Sequence, residues 1–182
     1  MGIIYDRLKG ELLLDMVLRT ENLAICAQYM AKLHKKILNN KMYDVQNYKE
    51  FLKTNIMGTK ESEEREKILF LLEKLPDEYS LCHGDFHPGN IIISGGKAIV
   101  IDLMNICHGP LLYDVARTIF LVEYTPVPSD TKDNKKIVQI KKELADLYLE
   151  EMDITRDMIQ DYLSVIIAAR PGENPDEKRL ES

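Results

Sequence analysis

The sequence predicts an α+β protein, mostly helical, built around one small β-hairpin. Two observations predict it. Over most of residues 20–75 and 112–169, apolar residues recur at helical spacing with charged residues between them. In contrast, Ile91–Ile93 and Ala98–Ile101 are β-branched runs separated by Ser94-Gly95-Gly96-Lys97, the signature of two strands around a tight turn. A chain of 182 residues with 45% apolar and 30% charged residues can bury one sizeable core, or at most two small ones.

Gly2 to Leu8 reads as a short strand, Gly10 breaks it, and Glu11–Leu18 reads as a short helix. Thr20 is placed to cap a helix running to about Leu38, with Leu23, Ala27, Met30, Leu33 and Ile37 on its apolar side. His34 lies on this helix, where a lone histidine is more often structural than catalytic. Helices follow at Val45–Ile56 and Ser62–Leu75, the second capped by Ser62 and ended by Pro76. After the hairpin, Leu112–Glu123 is apolar enough to be largely buried. Pro126, Pro128 and Ser129-Asp130 form a break, and Lys135–Glu151 and Thr155–Ala169 are amphipathic helices. The charged tail from Pro171 to Ser182 is expected to fray.

Several function classes recede at this point. The net charge is −6 and no Lys/Arg cluster tracks a nucleic acid. No apolar run reaches the length of a membrane span. Three cysteines argue against a disulfide framework and for a reducing, cytoplasmic setting.

Chemistry concentrates in Leu81 to Asn105, LCHGDFHPGNIIISGGKAIVIDLMN. A hairpin brings its ends together, so Asn90 and Asp102 should meet. Asp85 precedes Asn90 by five residues across a loop bent by Pro88 and Gly89. Oxygen ligands in that arrangement suit Mg²⁺, which takes one or two protein ligands plus phosphate oxygens and water. A further carboxylate, free of metal, can accept a proton from an attacking hydroxyl.

The run His83-Gly84-Asp85-Phe86-His87-Pro88-Gly89-Asn90, with Ile101-Asp102 beyond it, resembles the aminoglycoside phosphotransferase/choline kinase-like family. Gly109-Pro110-Leu111-Leu112-Tyr113-Asp114-Val115-Ala116-Arg117 looks like that family's next landmark. The resemblance implies the C-terminal catalytic lobe of a protein kinase-like fold, using ATP or GTP and Mg²⁺ to phosphorylate a small-molecule hydroxyl. Asp85 would be the base, and Asn90 and Asp102 the metal ligands. His83 would support the loop, and Asp114 would anchor it by accepting hydrogen bonds, with Arg117 one turn away as a possible ion-pair partner. His87 would either lie near the transferred phosphate or support the loop. Asp102 ends an apolar run, and a buried carboxylate there would need a partner such as a metal.

The resemblance divides the chain into a hinge strand and short helix at residues 1–19 and a helical catalytic and substrate-binding lobe at 20–182. No glycine-rich loop, strand lysine or partner glutamate for a nucleotide-covering N-terminal lobe is found. The isolated chain is therefore expected to turn over weakly or not at all. The family pattern also departs at Leu103, where an aromatic is common, and at Asn105, where many relatives place an acid. The acceptor stays open among aminoglycoside, choline, another amino alcohol and a sugar-like metabolite, with a cation among the candidates.

Three rival readings compete. A dinuclear metallophosphoesterase would need more His and Asp ligands than four histidines allow. A zinc site from Cys82, His83, Cys107 and His108 lacks the usual ligand spacing. The third is a non-catalytic remnant or substrate-binding module of a kinase-like protein.

Overall fold

The computed structural model describes residues 9–127 and 134–174. The strand expected within Gly2 to Leu8, and the part of the proline break from Pro128 onward, lie outside these residues.

The first described element is a strand, β1 (Glu11–Leu12), which runs directly into helix α1 (Leu13–Thr20). The expected helix therefore starts two residues late. Glu11 and Leu12 pair antiparallel with Ile93 and Ile92, a partner eighty residues away that local periodicity does not reveal. Thr20 does not cap the next helix. Its hydroxyl bonds back to the Met16 carbonyl at 2.8 Å, and Glu21, at φ 52°, closes α1 in the left-handed region. Asn22 is the cap of α2 (Leu23–Leu38), its side chain accepting from the Ile25 amide at 3.1 Å.

Helix α3 (Tyr48–Met57) begins three residues later than expected because Asn47 accepts from the Lys49 amide and sets the start there. Ser62 caps α4 (Glu63–Lys74) as expected. Strand β2 (Ser80–Cys82) then leads into the central loop.

The hairpin forms as the sequence predicts. Strands β3 (Ile91–Ser94) and β4 (Lys97–Val100) pair Ile91 with Val100 and Ser94 with Lys97. Gly95 and Gly96 both have positive φ, 55° and 75°, which a two-residue hairpin turn of matching twist requires. With β1 they form a three-stranded antiparallel sheet in the order β1-β3-β4. A second, two-stranded sheet joins β2 to β5 (Cys107–Gly109), with Cys82 opposite Cys107.

Helix α5 (Leu111–Ile119) is buried from Tyr113 onward, and its last turns widen into a π-helical segment at Phe120–Tyr124. Helices α6 (Asn134–Met152) and α7 (Arg156–Glu173) complete the described chain. Helix α6 packs against α2, and α7 against α3 and α5. The core between them includes Tyr48, Tyr113 and Tyr148, each almost wholly buried. Tyr48 donates to the Pro76 carbonyl at 2.8 Å, so its hydroxyl costs the core little.

The tail corrects a second expectation. Helix α7 does not stop before Pro171 but carries it in the final turn and continues to Glu173. Gly172 explains how: a Cβ there would lie 2.0 Å from the Asn55 carbonyl oxygen, so only glycine lets α7 close against α3. Residues 175–182 lie outside the description. Among the described residues, no helix is long and apolar enough to cross a membrane.

Candidate active site

The loop joining β2 to β3 is held from below by Asp114, in the first turn of α5 and fully buried. Its carboxylate accepts from the His83 amide at 2.6 Å and the Gly84 amide at 2.9 Å. It also contacts His34 Nε2 at 2.9 Å. Burial alone would raise this carboxyl's pKa. The His34 ring and the two amides outweigh burial and hold it below the ordinary carboxylate value.

His34 is itself fully buried, stacked on Phe86 at 4.1 Å between ring centroids, with its Nδ1 2.5 Å from the Tyr148 hydroxyl. Both ring nitrogens are thereby engaged, Nε2 with Asp114 and Nδ1 with the Tyr148 hydroxyl. His34 is thus a structural residue linking α2, α5 and α6 beneath the loop.

Arg117 does not pair with Asp114, contrary to the i,i+3 expectation. It is 4% exposed and turns the other way. Its Nε donates to the Gly84 carbonyl at 3.1 Å, and its two terminal nitrogens grip both oxygens of Glu173. Asp114 already has three donors, so a fourth was not required, whereas the Gly84 carbonyl had none and Glu173 had only Arg170, at 3.4 Å. The Gly84 residue is therefore fixed at its N–H by Asp114 and at its C=O by Arg117. Its φ of +75°, and the 2.2 Å that would separate a Cβ from the Asn105 carbonyl oxygen, make glycine obligatory.

Above this support sits the loop itself. His83 Nε2 meets the Ile101 carbonyl at 3.1 Å, and its Nδ1 accepts from the Asp85 amide at 3.3 Å, the pattern of a neutral ring. His87 Nδ1 accepts from the Gly89 amide at 3.1 Å, and its Nε2 lies 3.8 Å from the Asp85 carboxylate. Burial lowers the pKa of His87, against the opposite pull of Asp85 and Asp102.

Asn90 donates from Nδ2 to the Asp85 carbonyl at 2.9 Å and to the Asp85 carboxylate at 3.1 Å. Two acceptors facing one side of the amide fix its orientation, so the Asn90 side-chain oxygen points away from Asp85. The Ile101 amide donates to the Asn90 backbone carbonyl at 3.0 Å, which places Asp102 one residue beyond that contact. Asp85, Asn90 and Asp102 therefore converge at the open end of the hairpin.

Asp102 differs in one respect from the sequence argument. Strand β4 is only half-buried and Asp102 is exposed, so burial does not oblige its carboxylate to find a partner. Its backbone is instead in the left-handed region, φ 61° and ψ 66°, a state uncommon outside glycine that aspartate and asparagine adopt more readily than most residues. Among the described residues no hydrogen bond or ion pair occupies this carboxylate.

A cavity of about 230 Å³ opens beside Gly84, lined by Gln46, Phe51, Met104, Asn105 and Tyr113 among others. The zinc alternative finds no support. Cys82 and Cys107 are both buried and face each other across the β2–β5 ladder, and no cluster of three or more His, Cys, Asp or Glu suited to a metal occurs among the described residues.

Residues 43–137 match the phosphotransferase enzyme family, APH. The chain belongs to this family. The matched span contains the entire loop, the hairpin and α5. Among solved structures, the amicoumacin kinase hAmiN in complex with AMP-PNP, Ca²⁺ and Ami aligns with a TM-score of 0.54 at 19% identity, over 82% of this chain and 50% of that one. This likeness is one of fold, that of a partial kinase-like lobe. A glucosamine kinase in complex with glucosamine, ADP and inorganic phosphate aligns at 14% identity with a TM-score of 0.48, over 84% of this chain and 49% of that one. A Plasmodium vivax ethanolamine kinase aligns at 15% identity with a TM-score of 0.44, over 91% and 63%. The chain thus spans about half the length of the first two structures it resembles. No curated protein matches its sequence.

Two supporting residues escaped the sequence reading. Tyr148 reads as one more apolar residue of an amphipathic helix, and Glu173 as part of a charged tail. The second left a weak signal, because an apolar helix carrying Arg117 must receive an acid from somewhere.

Proposed function

We propose that this chain is the catalytic and substrate-binding lobe of a small-molecule kinase, transferring the γ-phosphoryl group of ATP or GTP to a hydroxyl with Mg²⁺ as cofactor. The observation that carries the reading is the orientation of Asn90. Asp85 takes its amide hydrogens, which leaves its carbonyl oxygen as a hard donor at the same hairpin end as the unengaged carboxylate of Asp102. An amide oxygen and a carboxylate without competing partners fit the donor set of Mg²⁺. Asn90 and Asp102 would hold that ion, and when bound it supplies neutralising charge to the nucleotide phosphates.

The chain's own residues do the rest. Asp85 accepts the proton of the acceptor hydroxyl as the acceptor oxygen bonds to the γ-phosphorus. The bond from that phosphorus to the β–γ bridging oxygen breaks, and a nucleoside diphosphate leaves. Positioning matters more here than a shifted pKa, and the supports around Gly84 provide it. His83 holds the loop to Ile101, and Asp114 anchors it through the His83 and Gly84 amides. His87 either supports the loop through Gly89 or, with Nε2 turned toward Asp85, meets the transferred phosphate.

The cavity beside Gly84 is the natural seat for the acceptor. Gln46 and Asn105 give it amide hydrogen-bonding capacity without charge, and the absence of an acid at Asn105 removes one contact a cation would use. Residues 1–19 would serve as hinge, with 20–182 as the lobe. With no glycine-rich loop among its 182 residues, this chain alone should turn over slowly.

Thermal unfolding with and without Mg²⁺ and ATP or GTP, beside Asp102→Ala, tests the reading. A nucleotide at about a hundred times its Kd stabilises by about 2.7 kcal/mol. The expected result is stabilisation that needs Mg²⁺ and vanishes in Asp102→Ala. Equal stabilisation without Mg²⁺ or in the variant would overturn the metal assignment.

A further inference from the structure

At the far end of the same hairpin is a second concavity, of about 300 Å³, between α2 and the β3–β4 turn. Tyr29, Lys32 and Lys36 line it from one stripe of α2, at positions three and four residues apart that share a helix face. Lys97 faces them from the first residue of β4, and the small residues Gly96 and Ala98 leave the space open. Among the described residues no Asp or Glu lines it.

Among the described residues, none of these three lysine side chains makes an ion pair or hydrogen bond. Lys35, between Lys32 and Lys36 in the chain, does: it reaches the Glu151 carbonyl and Asp153 on the other side of the helix. All three lysines are exposed at the rim of the hollow, and among the described residues no acid stands there to offset their mutual repulsion.

We propose that this hollow is a binding site for a compact phosphate-bearing anion, distinct from the catalytic loop. The lysine stems form much of the wall, and their exposed ammonium groups can close over a ligand from the rim. Three positive charges there call for two or three negative ones, which a pyrophosphate group carries and a single carboxylate does not. Lysine presents a point charge with three rotatable donors, and the Tyr29 hydroxyl adds one more, so a tetrahedral group with several oxygens can be met from different sides. The site is separate in space. Lys97 and Asp102 are five residues apart along an extended strand and its exit, which is about 15 Å. The catalytic end carries Asp85 and Asp102 and repels an anion that brings no cation.

The test is isothermal titration of the chain with pyrophosphate at low salt, without divalent metal. Saturable one-to-one binding is expected, weakened at least tenfold by Lys32→Ala/Lys36→Ala/Lys97→Ala together. Binding by Asp102→Ala should match the unsubstituted chain, which separates this result from the fate of the kinase reading. A control carrying Lys60→Ala, Lys67→Ala and Lys142→Ala loses the same charge elsewhere on the surface. An equal loss in that control, or no saturable binding at all, would overturn the site. Citrate binding as tightly as pyrophosphate would overturn the phosphate assignment.

Discussion

Asn90 gives amide hydrogens to Asp85 twice, at 2.9 Å to its backbone carbonyl and 3.1 Å to its carboxylate. The pair closes the loop and aims both side chains at once. Asn90→Asp keeps the shape but sets a carboxylate against two acceptors. We expect a loss of about 2–3 kcal/mol at pH 7 and recovery of part of it at acid pH, as one carboxyl protonates. Urea unfolding at two pH values checks this; an unchanged midpoint would deny the contact.

Gly84 stands at φ +75° with the Asn105 carbonyl where a Cβ would go. Gly84→Ala must push apart the loop and the segment after Asp102. The left-handed backbone alone costs about 1–2 kcal/mol, and the steric overlap adds to it. Denaturant unfolding should show a total above about 2 kcal/mol, whereas Gly95→Ala, where nothing lies within 4 Å, should cost only the backbone share.

Glu173 is the acid that a buried Arg117 depends on. Glu173→Ala leaves a guanidinium 4% exposed with only the Gly84 carbonyl and nearby rings. Breaking one side of such a pair costs about 3–5 kcal/mol. Combining it with Arg117→Met should restore part of that stability, since both charges are then gone. If the double variant were no better than the single one, the pair would not be the source of the loss.

Two groups contribute to the acid limb of stability, in different windows. Burial leaves His87 with a pKa below the ordinary 6.5, so the unfolded chain takes up that proton first. Stability should therefore fall as pH drops below about 6.5, until His87 protonates in the folded state too. Asp114 is held below 3.8, so its contribution is complete above that value and is lost as pH falls through the lower folded value. Stability measured against pH should show both regions, and His87→Gln should flatten only the upper one.

Much of the site was legible because it is local. The spacing from Asp85 to Asn90, and the Gly95-Gly96 turn that brings Asp102 back to Asn90, are properties of one continuous stretch. Ser62 as a cap follows from the same kind of short-range rule. Helix starts shifted by a few residues where a neighbouring asparagine, Asn22 or Asn47, took the cap. The larger errors fell where the deciding partner was distant. Glu11–Leu12 became a strand because Ile92 and Ile93 were there to pair with it. Asp102 proved exposed because strand burial depends on what packs over a strand, which an apolar run does not state.

By itself the sequence determined the helical character of the chain, the hairpin and the residues gathered at its open end. These follow from periodicity, turn chemistry and spacing, all set within a few residues. Only the tertiary structure decided how that end is supported. Asp114 chose His34 and two loop amides, and Arg117 chose Glu173 across fifty-six residues. Tertiary structure also drew Lys32, Lys36 and Lys97 around one hollow. A buried charge takes whichever partner the packing of distant helices brings within reach, and that choice is not written at any one place along the chain.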